Sequence, residues 1–136
     1  MGDRPAGEPL FPLSMRSLTD CMLCCLAMLL RVSYEAVREA AEKSVKGWET
    51  GLSASEAARV AKRLKQPLSI RPASLDVVEE TQEGILIVRK GRVYHALLCF
   101  HGLLVDPSDG TLWEPGVYCA TYGRRPFKLL TSLGRS

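Results

Sequence analysis

The chain has 136 residues and a mass of 15.0 kDa, enough for one domain with a true core and too little for two. With 46% hydrophobic, 24% charged and 7% aromatic residues, the composition excludes disordered and fibrous classes and predicts a chain that folds alone. Lys and Arg number 18 against 15 Asp and Glu, a formal +3, too small a surplus to name a nucleic acid or an anionic surface as partner.

Residues 1–14 hold Gly2, Pro5, Gly7, Pro9 and Pro12 without periodicity and read as a flexible N-terminal arm, with Leu10-Phe11 docked on the body; residues 15–136 form the single domain. Asp3, Glu8 and three prolines precede the first apolar run, and no small-residue cleavage site follows it, which argues against a secretory signal. That run, Cys21 to Leu30, lies between Asp20 and Arg31 and is half the length of the roughly 20 residues a membrane-spanning helix needs. No membrane association is expected, and the predicted location is cytoplasmic. The run is apolar all round, as in a central buried helix, with Thr19 or Asp20 as N-cap.

A second helix is predicted from Ser33 to about Lys43, burying Tyr34, Val37, Ala40 and Ala41. Ser53 and Glu56 form an S-x-x-E capping box ahead of Ala57, Ala58, Val60, Ala61 and Leu64 at helical spacing, which sets a third helix. The period then shortens. Pro67–Arg71 reads as a strand, Leu75–Glu80 as a helical turn, and residues 84–89 as a β-branched strand turning at Lys90-Gly91. Residues 92–100 pair back on it, His101-Gly102 turns again, residues 103–106 return, and Pro107-Ser108-Asp109-Gly110 closes the run. A last strand is expected at Pro126–Leu130. Helices first and a meander after predict an α+β fold with the N-terminal helices packed on one side of a C-terminal antiparallel sheet.

The five cysteines are odd in number, and Cys21, Cys24 and Cys25 crowd five positions, unlike a disulfide framework. Reduced thiols are expected, with packing, metal binding and catalysis as their available roles. Cys21 falls in the first helical turn, where unpaired N–H groups and the helix dipole favour a thiolate; Cys24 and Cys25, a turn further in, read as core. A thiol nucleophile needs a base, and of the two histidines His101 occupies a tight turn while His95 sits mid-strand. With a two-residue turn at His101-Gly102, Phe100 faces Leu103 and Leu97 faces Asp106. Asp106 then shares the face of His95 one diagonal step away. An odd-length turn would put it on the opposite face.

These residues resemble the small papain-like cysteine peptidases related to the bacterial double-glycine (bacteriocin-leader) peptidases. Asp20-Cys21-Met22-Leu23-Cys24-Cys25-Leu26-Ala27-Met28-Leu29 is similar to the opening of their core helix, with Cys21 on the nucleophile. Residues 32–37 look like their second helix, Gly51-Leu52-Ser53 with residues 57–64 like their third, and His95-Ala96-Leu97-Leu98 with Leu104-Val105-Asp106-Pro107 like their His and Asp-Pro strands. The resemblance covers most of residues 14–110. It implies a papain-like fold and a Cys21-His95-Asp106 triad acting without cofactor or metal on a peptide or protein substrate with small residues before the scissile bond. Two positions depart from the pattern. The family places a glutamine about six residues before the cysteine as an oxyanion donor, whereas this chain reads Ser14-Met15-Arg16-Ser17-Leu18 there and has only Gln66 and Gln82; Arg16, Ser17 or Thr19 are the available substitutes. Met22-Leu23 replaces the common Gly-Pro and narrows the space beside the nucleophile.

Other readings use the same residues. The triad could serve acyl transfer or deamidation, or the fold could have become a protein-binding module. Cys21-x-x-Cys24 has redox spacing, although a Pro-rich arm precedes it where a thioredoxin-like fold needs a strand. Cys21, Cys24, His95 and Cys99 have zinc-ligand chemistry without a second short-spaced pair. Arg59, Lys62, Arg63 and Lys65 on the third helix have the flavour of a DNA-binding element, but Pro67 and the following strand leave no room for a recognition helix. Trp48, Trp113 and Tyr94 are the large aromatics available to line a cleft.

Overall fold

The computed structural model describes residues 20–133. The predicted arm and the proposed oxyanion donors Arg16, Ser17 and Thr19 lie outside the described residues. In chain order the elements are α1 (Cys21–Leu30), α2 (Tyr34–Ser44), a 3₁₀ turn (Trp48–Thr50), α3 (Ala54–Arg63), β1 (Leu68–Pro72), α4 (Leu75–Glu79), β2 (Glu83–Lys90), β3 (Val93–Phe100), β4 (Leu103–Asp106), β5 (Thr111–Trp113), α5 (Pro115–Tyr122) and β6 (Arg125–Ser132).

α1 is the spine of the helical half, every residue from Met22 to Leu30 being buried. Asp20 occupies its N-cap position but makes no capping bond, because its backbone (φ −102°, ψ 18°) is not the extended form that aims a side chain at the first turn. The Tyr34 hydroxyl donates to Asp20 Oδ2 instead, at 3.0 Å, tying the head of α1 to α2. The other two helices start as their sequences require. Ser33 Oγ accepts from Ala36 N–H, and Ser53 with Glu56 makes both bonds of the capping box.

The strands form one sheet in the order β1-β6-β2-β3-β4-β5, with every neighbouring pair antiparallel. Lys90 pairs with Val93, so the first hairpin turns on Gly91-Arg92, one residue later than the Lys90-Gly91 expected from sequence. The second hairpin turns on His101-Gly102 and pairs Phe100 with Leu103 and Leu98 with Val105, the predicted register. Both turn residues have positive φ, 52° and 79°, the mark of a type I′ turn, whose twist matches that of the strands.

Strand alternation sends side chains into two cores. Ile85, Ile87, Ala96, Leu98, Val105 and Leu130 pack against α1, α2 and α3. Leu86, Val88, Leu97, Cys99, Leu104 and Leu129 point the other way, against Val78 of α4 and Tyr118 of α5. The predicted placement of helices on one side therefore holds for α1–α3, while α4 and the unforeseen α5 cover the opposite face. β6 is not appended to the meander but inserted between β1 and β2.

Candidate active site

Cys21 is the first residue of α1 and half-buried. Among the described residues the first backbone bond at this helix head runs from Cys24 N–H to Asp20 carbonyl, so none of them takes the amides of Cys21, Met22 and Leu23, the donors a helix start leaves without an intrahelical partner. His95 is the third residue of β3 and Asp106 the last of β4; because the two strands are antiparallel, both lie at one end of the sheet. β4 pairs with β3 from Leu98 to Phe100, and the imidazole sits beyond that pairing, where the sheet opens.

His95 Nε2 and Asp106 Oδ1 are 3.0 Å apart, with the two side chains 13% and 7% exposed. The same carboxylate oxygen accepts from Ser108 N–H at 2.9 Å and from its hydroxyl at 2.7 Å. Burial works to raise the Asp106 pKa, but these bonds and the imidazole charge outweigh it and hold the carboxyl at about 2. Burial likewise works to lower the His95 pKa; hydrogen bonds to Asp106 and to the Cys21 side chain, with the charges of both, carry it up to about 9. With Nε2 given to Asp106, Nδ1 is the nitrogen left for the Cys21 sulfur. A cleft of about 590 Å³ opens over Cys21 and His95, walled on one side by residues 50–54 and on the other by Ile87, Tyr94 and Phe127.

No family model and no curated protein matches the sequence. Among solved structures the chain is similar to the peptidase domain of Streptococcus ComA, a bifunctional ABC transporter involved in a quorum sensing pathway. The TM-score is 0.67 at 17% identity, with 88% of this chain and 95% of that chain covered. The fold is papain-like. At that identity the likeness is one of fold.

Within the papain-like frame the remaining sequence candidates separate. Cys24 and Cys25 are fully buried in α1, and burial, with the neighbouring Cys21, Cys24 and Asp106, pushes the Cys25 thiol well up. Cys99 belongs to the core on the far face of the sheet, where its thiol donates to Val78 carbonyl at 3.5 Å and burial raises its pKa to about 11. The four supposed zinc ligands are thus not brought together. His101 stays in its turn, Nδ1 meeting Gln82 Oε1 at 2.6 Å, and Gln66 Nε2 donates to Leu30 carbonyl, so both glutamines are engaged away from the cleft. Of the large aromatics, Tyr94 lines the cleft, Trp48 packs on the helical core, and Trp113 lies edge-on to Tyr118 and Tyr122.

Three contributors escaped the sequence reading. Ser108 was legible in principle, since Asp106-Pro107-Ser108 is an Asx-turn spacing in which the aspartate accepts from the residue two along. Tyr34 reaching Asp20 left no local trace. Phe127 enters the cleft through a register shift: Ile87 pairs with Lys128 while Val88 pairs with Pro126. The bulged Phe127 is thereby turned to the helical side.

Proposed function

We propose that the protein is a cysteine peptidase with Cys21 as nucleophile, His95 as base and acid, and Asp106 as the group that orients the imidazole. The observation that carries this reading is that Cys21 and His95 line the same cleft, with the imidazole held from behind by Asp106 at 3.0 Å. Cys21 Sγ attacks the amide carbonyl carbon as its proton passes to His95 Nδ1. The tetrahedral oxyanion takes the Cys21 backbone N–H. Collapse breaks the C–N bond, the leaving amine takes the proton from His95, and a thioester remains on Cys21. Water then attacks the thioester, giving its proton to His95, and the released acid restores the thiol. Asp106 stays ionised throughout and holds the imidazole in one tautomer. The substrate proposed is a peptide or protein with small residues before the scissile bond, as the resemblance to double-glycine peptidases implies, and Met22 bordering the cleft beside the nucleophile accords with it. No metal or cofactor enters the scheme, and the proposed setting is the cytoplasm, where thiols stay reduced.

A second reading, a papain-like module that binds its partner without cleaving it, draws on the engagement of Gln66 and Gln82 elsewhere; loss of one oxyanion donor typically costs about 10²–10³ in turnover. Residue-resolved alkylation with iodoacetamide at about pH 6 separates the two. Cys21 is expected to react at least tenfold faster than Cys24 or Cys25, and to lose that advantage in His95→Ala. Equal reaction of the three cysteines, or no effect of the histidine, would remove the peptidase reading.

A further inference from the structure

Beside the cleft wall, next to its residues Ile87, Tyr94 and Phe127, lie three cations, Arg89, Arg125 and Lys128, that meet no carboxylate among the described residues. Arg89 and Arg125 are Cα partners on adjacent strands, and Arg89 alternates with Ile85 and Ile87, which face the helical core; both arginines therefore project on the cleft side. Lys128 pairs with Ile87 on that same side. The Arg89 guanidinium lies 4.9 Å and the Lys128 ammonium 5.3 Å from the centroid of the Phe127 ring, the bulged side chain that lines the cleft. None of the three cations forms an ion pair with a carboxylate among the described residues. Like charges directly opposite on paired strands destabilise a sheet, so the fold gains nothing from keeping Arg89 and Arg125 together. The facing wall, Thr50 to Ala54, carries no charged side chain.

We propose that this basic wall makes the cleft selective for acidic peptides, with Arg89 and Lys128 as specificity-determining residues and Arg125 extending the field. The proposal rests on the peptidase reading of Cys21 and His95 and names its substrate class. Arg89 is the Cα partner of Tyr94, the residue before His95 and itself in the cleft wall, about 4.8 Å away across the sheet. An extended peptide with its scissile carbonyl at Cys21 thus brings a side chain two to four residues away within reach of both cations. Phe127 and Tyr94, 5.4 Å apart, supply the apolar floor between that contact and the scissile bond. A basic patch could also serve a nucleic acid, but this one is continuous with the cleft wall and walks along strands toward the thiol, which favours a peptide strand over a phosphate backbone.

The test uses two chloromethyl ketone peptides of one apolar sequence, carrying either two glutamates or two lysines at positions two to four residues from the reactive group. Labelling of Cys21 is followed by mass spectrometry at low salt. In the wild-type protein the glutamate probe is expected to label about tenfold faster, with the ratio falling toward one in 0.5 M salt as screening removes the wall's field. In an Arg89→Glu/Lys128→Glu variant the ratio should invert. If iodoacetamide singles out Cys21 in a His95-dependent way but the two peptide probes label it equally, the selectivity is overturned and the peptidase reading stands. If iodoacetamide does not single it out, both fall together. A single-stranded oligonucleotide that binds the wild type, loses binding in the variant and outcompetes the glutamate peptide at 0.15 M salt would reassign the wall to nucleic acid and overturn the proposal.

Discussion

Asp106 Oδ1 accepts from three donors, the imidazole of His95 and both the amide and hydroxyl of Ser108, and that concentration of donors fixes the charge state of the site. The lowered Asp106 pKa, about 2 against 3.8, means a stabilising contribution that is full above about pH 4 and is lost as pH falls through 2. The raised His95 pKa, about 9 against 6.5, works in the opposite direction: its contribution is full below pH 6.5 and is lost as pH rises through 9. Both shifts report one ion pair and count once, on the order of 2 kcal/mol. The difference in unfolding free energy between wild type and His95→Gln, measured by urea titration across pH, should therefore be widest near pH 5–6 and close between pH 7 and 9. A difference that grows toward alkaline pH would contradict the ion pair. Ser108→Ala removes one donor and leaves the amide. It is expected to cost about 1 kcal/mol at pH 7 and to shift the acid limb of stability upward in pH, a shift read in the same titrations.

Elements deliver these residues with different precision. The His95–Asp106 pair depends on a strand register, and the register depends on a two-residue turn. Gly102 has φ 79°, and a Cβ there would stand 2.8 Å from Glu79 carbonyl oxygen, so Gly102→Ala meets both backbone strain and a clash. It is expected to lower the urea midpoint by an amount equivalent to about 2 kcal/mol or more. Ser53→Ala, which removes half of the capping box beside the cleft wall, should cost about 1 kcal/mol. Equal costs in the two variants would show that the hairpin tolerates a relaxed turn. Both features were legible from the chain alone, because His101-Gly102 and Ser53…Glu56 act on immediate neighbours. So were α2 and α3, whose buried residues recur at helical spacing, and the diagonal step from His95 to Asp106. Asp20 takes one of the two N-cap positions the chain offered, yet its side chain makes no capping bond, for the converse reason. Its partner, Tyr34, is on another helix, and tertiary contact overrode the local preference.

At the scale of the whole molecule, the parts that sequence pattern left hidden are the non-local ones. α5 begins Pro115-Gly116, which reads as turn chemistry, yet the proline sits in the first helical turn where its missing N–H costs nothing; Tyr118, buried against the far face of the sheet, gives that helix its reason to exist. β6 was visible as a strand, but no local signal says that it enters between β1 and β2. That insertion governs assembly. Leu129 and Leu130 fall into the two separate cores, Phe127 completes the cleft, and among the described residues β1 pairs in the sheet with β6 alone. Until the last strand arrives, β2 presents an open edge and both cores lack a wall, so the long loop between β2 and β6 must close before either core is sealed. A chain ended at Gly123 should accordingly lose cooperative unfolding by circular dichroism and near-ultraviolet signal, while retaining some helical signal from α1–α3. The full chain should refold more slowly than a helical bundle of equal size. Cooperative unfolding of the shortened chain would mean that the meander β2–β5 and the helices suffice, and that β6 serves the cleft rather than the fold.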